Sequence, residues 1–203
     1  ATINGVPSYM GLFSCASGDV TIKNVNVKLA YFAANYAAGG IVGYHKGNGT
    51  NTLTIENCSV VDCYLESKGT GYGSGVGAFV GYVNNCAQID GAWVNGPIII
   101  KNCFAKLDEQ YFISNTETTT NTADRDCHGG VVGFAVTNAL MCSDSVIVGI
   151  APYGTTNNTT HNDIQHTGFP HHFENVYTTA PTGVINVGGT QGADGDFSGK
   201  VFQ

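Results

Sequence analysis

Late in the chain four histidines, His161, His166, His171 and His172, surround Asp163. Imidazole and carboxylate both bind metals, and a polar loop can gather three such groups around one ion. The spacing is not the i, i+4 pattern that sets two ligands on one helix face, and no HExxH occurs. A hydrated Thr- and Asn-rich loop that happens to carry histidine is the plainer reading. A second group is Asp124, Asp126, Cys127 and His128. It sets a thiol beside an imidazole with acids nearby, as a thiol nucleophile or a divalent-ion site does. Adjacent residues of a strand point to opposite faces, so Cys127 and His128 are not disposed to share a proton. A third set, Asp62, Glu66, Asp108 and Glu109 with Lys106 or Arg125, has the composition of the acidic face of polysaccharide-cleaving solenoids. The sequence alone does not bring these onto one face. No catalytic residue and no cofactor is therefore assigned, and the chain is expected not to be an enzyme.

Two short motifs recur around these residues and define the elements that must position them. The first is a small residue, two apolar residues and another small residue: Gly11 to Ser14, Gly40 to Gly43, Ala78 to Gly81 and Gly130 to Gly133. In the last three an aromatic follows, Tyr44, Tyr82 or Phe134. The second motif reads apolar-x-Asn-(Val/Cys), in Ile22 to Val27, Ile55 to Val60 and Ile100 to Ala105. Looser copies are Met141 to Val146 and Phe173 to Thr178. Taking Asn24, Asn57, Asn102, Ser143 and Asn175 as equivalent gives intervals of 33, 45, 41 and 32 residues.

Each unit is a short strand with alternating apolar positions, too small to bury its own face. Stacking equivalent strands in parallel buries a continuous core, with loops of differing length between them. The expected fold is all-β, a right-handed parallel β-helix of about four to five coils, with residues 1–182 forming the repeats. The Gly-rich residues 183–203 are expected to cap the stack or link onward. Glycine before the first strand permits a tight corner, and Asn24, Asn57, Asn102 and Asn175 are expected to stack as a ladder of amides. Residues 30–38 fit either a helical turn or a strand, whereas 115–126 and 153–172 read as loops.

The paired motifs resemble the GLUG-type repeats of bacterial surface proteins. Gly40-Ile41-Val42-Gly43 with Ile55-Glu56-Asn57-Cys58 carries the resemblance, as does Ala78-Phe79-Val80-Gly81 with Ile100-Lys101-Asn102-Cys103. Gly130 to Gly133 with Met141 to Val146 follows more loosely, and the likeness spans roughly residues 9 to 178. It implies a β-helical stalk within an adhesin or a surface-anchored protease. It transfers no catalytic residue, because the repeats hold no family-wide active site.

Cys58 and Cys103 share a repeat position that Val25 and Val176 fill elsewhere, which marks the site as apolar and inward. Adjacent coils would set their Cα atoms about 4.8 Å apart, within disulfide range, so packing and a bridge both stay open. Tyr44, Tyr82 and Phe134 are expected to form a ladder that stabilises the stack or holds a sugar ring.

Composition supports this reading. Only 11% of residues are charged, and there are 20 Val against 6 Leu, with 28 Gly, 19 Asn and 21 Thr. β-Branched residues suit strands, and Gly and Asn suit turns. A net charge of −7 with one arginine argues against nucleic-acid binding. No apolar run approaches the roughly 18 residues that cross a bilayer. The seven cysteines form no CxxC pair, which disfavours a zinc ribbon or a thioredoxin-type motif. Asn48, Asn57, Asn157 and Asn158 lie in Asn-x-Ser/Thr sequons and lean, with scarce lysine, toward a secreted or cell-surface setting. Starting at Ala1 without methionine or signal peptide, the chain reads as a mature form or an excised piece. Its first motif leaves little room for a cap, so end-to-end self-association or flanking repeats are the expected partners. A structural or adhesive role leads. A glycan-binding or glycan-cleaving solenoid, or an accessory domain of a larger surface enzyme, stands as the alternative.

Overall fold

The computed structural model describes residues 2–3, 6–69, 74–114, 127–136, 139–150, 172–174, 176–178 and 200–201. Among these residues the chain is all-β, with one 3-10 turn at Glu109–Tyr111 and no α-helix. Five sheets are built wholly from parallel pairs, and successive passes of the chain visit them in the same order.

Sheet 1 holds Tyr9–Met10, Ala37–Gly39, Gly75–Gly77 and Cys127–Gly129. Sheet 2 holds Phe13–Ser17, Val42–Lys46, Val80–Asn84 and Val132–Val136. Sheet 3 holds Val20–Lys23, Leu53–Glu56, Ile98–Lys101, Leu140–Ser143 and His172–Glu174. Sheet 4 follows with Asn26–Lys28, Ser59–Val61, Phe104–Lys106, Val146–Val148, Tyr177–Thr178 and Lys200–Val201. Sheet 5 holds Tyr31–Ala34, Tyr64–Ser67 and Phe112–Ser114. The stretch 30–38, open between helix and strand in the sequence, is thus strand on both sides of Asn35 and Tyr36. Two antiparallel hairpins leave this scheme, Thr2–Ile3 with Val6–Pro7 and Cys86–Ile89 with Ala92–Asn95.

The register explains the motifs. In sheet 3, Ile22, Ile55, Ile100, Cys142 and Phe173 are successive partners. Ile22, Ile55, Ile100 and Cys142 are buried and join Val27, Val60, Ala105 and Ile147 of sheet 4 in one apolar core. Between these sheets the chain turns through a left-handed residue, Asn24, Asn57, Asn102 or Asp144, with φ of 59°, 55°, 51° and 51°. Asn and Asp tolerate this conformation better than most residues. The expected equivalence of Ser143 with Asn102 is thereby corrected. Ser143 pairs with Lys101, and Asp144 takes the corner. The corner-to-corner intervals are 33, 45 and 42 residues for the four described corners. A second corner, directly after the sheet-4 strands, uses Leu29, Asp62 and Gly149 at φ of 55°, 51° and 84°. Any side chain on Gly149 would collide with the carbonyl of Leu107.

The glycines that close the first motif have a different cause. A Cβ on Gly43 would lie 2.7 Å from the backbone nitrogen of Met10, and one on Gly81 2.8 Å from that of Ala38. Sheets 1 and 2 meet so closely that backbone fills the space a side chain would need.

Candidate functional site

The corner between sheets 3 and 4 is the most regular feature that carries polar chemistry. Asn24, Asn57 and Asn102 are exposed, and no amide-to-amide bond joins them. The hydrogen bonds run instead through the residue that follows each corner. Cys58 Sγ donates to the Glu56 carbonyl at 3.2 Å, and Cys103 Sγ to that of Lys101 at 3.2 Å. One pass later Ser145 Oγ donates to the Ser143 carbonyl at 2.7 Å and accepts from the Cys103 N–H at 3.0 Å. Cys63, after Asp62 at the second corner, repeats the arrangement with the Val61 carbonyl at 3.3 Å. The bridge weighed between Cys58 and Cys103 is absent, since both thiols are free and turned toward backbone carbonyls. Asn175 lies outside the described residues.

Cys63, Cys103 and Cys142 are poor nucleophiles, because a nucleophilic cysteine needs a stabilised thiolate. Burial pushes the Cys103 thiol up to about 11 and that of Cys142 up to about 12. Burial raises Cys63 as well.

Two aromatic ladders run along the stack. Tyr44 and Tyr82 stack at 5.0 Å, and Phe134 follows at 5.4 Å with its plane tilted by 48°. In the first pass Cys15 takes the register place of Tyr44, and Tyr9 of sheet 1 supplies the missing ring at 4.5 Å. On sheet 5, Tyr31 and Tyr64 stack at 4.6 Å, and Tyr111 of the 3-10 turn approaches Tyr64 at 6.0 Å. Tyr31 and Tyr111 are 63% and 48% exposed, so this ladder faces solvent.

The acidic set is partly gathered beside that second ladder. Asp62 leads into the Tyr64–Ser67 strand, Glu66 lies on it, and Asp108 precedes the 3-10 turn. Asp62 pairs with Lys106 at 3.7 Å and Glu66 with Lys68 at 3.9 Å, while Tyr31 Oη donates to Glu66 Oε2 at 3.5 Å. Asp108 accepts from the Gln110 N–H at 3.0 Å and from its side-chain amide at 2.7 Å. Glu109 begins the turn, and Arg125 lies outside the described residues. Cys127 and His128 fall on one strand in register with Gly75 and Val76. Asp124 and Asp126 lie outside the described residues, as do His161, His166 and His171. His172 starts the last sheet-3 strand, in register with Met141. No cluster of three metal-ligating side chains occurs among the described residues. Of the sequons, Asn48 and Asn57 are exposed, whereas Asn157 and Asn158 lie outside the described residues. Asn48 Oδ1 accepts from the N–H groups of Thr50 and Asn51 at 3.0 and 3.2 Å. No helix of the described residues is long and apolar enough to cross a membrane.

Two buried polar residues escaped the motif reading. His45 is fully buried with neither ring nitrogen hydrogen-bonded, at a register place held by Ala16 and Val83. Asn85 is buried and fixes the loop that follows Gly47. Its Oδ1 accepts from the Gly49 N–H at 3.2 Å, and its Nδ2 donates to the Asn51 carbonyl at 2.8 Å. Nothing local in the sequence marks either one, because the residues that bury them come from other passes.

No protein-family model matches the chain, and neither a curated protein nor a solved structure matches it.

Proposed function

We propose that this chain is a right-handed parallel β-helix of about four to five coils that serves as a structural or adhesive element on a cell surface. One observation carries the reading: the same five sheets are visited in the same order, and every pairing within them is parallel. Parallel strands of one sheet joined by a crossover take the right-handed path almost without exception. Such a stack turns a short repeat into a stiff spacer, and the loops between motifs become its lateral surface. The resemblance to GLUG-type repeats points the same way, toward a stalk segment of a secreted or surface-anchored protein.

The coil reading is tested by cross-linking Thr21→Cys with Thr54→Cys. The two residues are register partners on adjacent sheet-3 strands, about 4.8 Å apart and within disulfide range. Peptide mapping should recover that bridge. Its absence, alongside a bridge from Thr21→Cys to a residue out of register, rules the coil out. The surface role is tested by antibody labelling of intact producing cells, and labelling only after lysis rules it out.

A glycan-binding role is the second reading, favoured by Tyr31, Tyr64 and Tyr111 beside Glu66. Sugars stack on aromatic faces, however, and at 4.6 Å with an interplanar angle of 16° Tyr31 and Tyr64 cover one face of each other. The stack leaves mainly ring edges and hydroxyls for a ligand, so the structural reading takes precedence.

A further inference from the structure

We propose that Tyr31 and Tyr64 form an oxidative cross-linking site, at which a haem peroxidase and hydrogen peroxide join two adjacent passes through a dityrosine bond. The site needs only the sheet-5 register and is independent of the surface role. Tyr31 and Tyr64 are register partners on parallel strands, which sets their Cα atoms about 4.8 Å apart. Their ring centroids lie 4.6 Å apart, with planes 16° from parallel. Leu65 and Ser67 are buried, so the alternation of their strand turns Tyr64 and Glu66 outward. The backbone thus holds two phenols together on the outer surface of the sheet. Coupling two free phenols requires two short-lived radicals to meet, and a preformed pair replaces that encounter by a step within one molecule.

Glu66 completes the site as a proton acceptor. A phenol gives up an electron more easily when a base takes its proton in the same step. Tyr31 Oη donates to Glu66 Oε2 at 3.5 Å. Partial burial, and after it the Glu66 carboxylate, push the Tyr64 phenol above its usual range. Tyr64 therefore enters the reaction as a neutral phenol beside the acceptor it needs.

The step balances. Each phenol loses one electron and one proton and becomes a phenoxyl radical. The radicals join through a ring carbon ortho to each oxygen, and the hydrogens on those carbons shift to the oxygens, restoring both phenols. Two electrons and two protons leave the pair, and one hydrogen peroxide takes them up as two waters.

Two other tyrosine pairs serve as comparisons. Tyr44 and Tyr82 stack at 5.0 Å, but Tyr82 is only 7% exposed and packs against buried Ala37. Tyr111 approaches Tyr64 at 6.0 Å with its plane tilted by 47°.

The test treats the dilute full chain with a haem peroxidase and hydrogen peroxide, and reads dityrosine fluorescence and peptide maps. Far-UV circular dichroism checks the fold of each variant. The dominant product should be a single chain whose Tyr31 and Tyr64 peptides are joined with the loss of two hydrogens. Tyr31→Phe and Tyr64→Phe should each abolish that product, whereas Tyr111→Phe should retain it. Glu66→Gln should slow its formation several-fold at neutral pH. Links spread over the other tyrosines, or formed only between chains, overturn the site. An unchanged rate in Glu66→Gln overturns the role of the carboxylate. A chain that forms the Thr21–Thr54 bridge but not the Tyr31–Tyr64 link overturns the cross-linking site and leaves the coil standing. Absence of both links overturns the two readings together.

Discussion

Ser145 accepts a hydrogen bond from the backbone N–H of Cys103 while occupying, one pass later, the place just after the corner that Cys103 itself holds. A hydroxyl and a thiol thus do the same work, each donating to the carbonyl two residues back. Cys58→Ser and Cys103→Ser should therefore fold normally and change stability by about 1 kcal/mol or less, as replacing one satisfied donor by another does. Cys103→Leu overfills the same corner and should cost roughly 1–3 kcal/mol. Urea denaturation of the three variants checks both halves.

Leu29 is the misfit among the corner residues. It sits at φ 55° where Asp62 and Gly149 serve in other passes, and it is 74% exposed. A left-handed conformation costs a non-glycine residue roughly 1–2 kcal/mol, and so little of this side chain is buried that packing offsets little of it. Leu29→Asn should stabilise the fold by about 1 kcal/mol, read as a raised denaturation midpoint. A lowered midpoint would show that the leucine makes a contact worth more than its strain.

Acid should act through His45. Burial pushes its imidazole below the ordinary value, with Asp19 opposing in smaller measure. The folded state then holds the ring neutral while the unfolded chain takes up a proton near the unperturbed value of about 6.5. Stability is intact above that pH and is lost as pH falls from there toward the depressed folded value. His45→Val, matching buried Val83 one pass on, should flatten that part of the profile. It should also add roughly 1–3 kcal/mol at neutral pH by removing two unsatisfied nitrogens. An unchanged slope between pH 6.5 and 5 would mean that His45 does not control it.

Glycine at the end of the first motif should resist substitution. In Gly81→Ala the new methyl would lie 2.8 Å from backbone atoms of both Ala38 and Gly43, neither of which can step aside. The expected loss is roughly 1–3 kcal/mol. Gly91→Ala is the control: open space surrounds that Cβ, so the expected loss is the smaller strain of its φ of 81°.

The parallel all-β character was legible because both motifs place a residue with a backbone reason at a fixed point. Asn57 and Asn102 turn the chain, and Gly43 and Gly81 let sheets approach. The slip of one residue at Ser143 arose because the inward residue there is Cys142, which does not read as aliphatic, while Met141 beside it does yet is exposed. Sheet 5 had no legible motif, since its members YFAA, YLES and FIS share an alternation and little composition. The acids Asp62 and Glu66 were visible as residues, but their contacts with Lys106 and Tyr31, which come from neighbouring passes, are a product of register. The buried state of His45 is equally a product of register, because its partners lie dozens of residues away.

The hairpin Cys86–Ile89 and Ala92–Asn95 turns through Asp90 and Gly91, both at positive φ, and belongs to neither motif. Its insertion lengthens the third pass, yet Val80–Asn84 before it and Ile98–Lys101 after it keep perfect register with the passes on either side. Variation in sequence and length is thereby uncoupled from the packing that holds the rod together. A chain built this way can renew its outer coat, one insertion at a time, without renegotiating its interior.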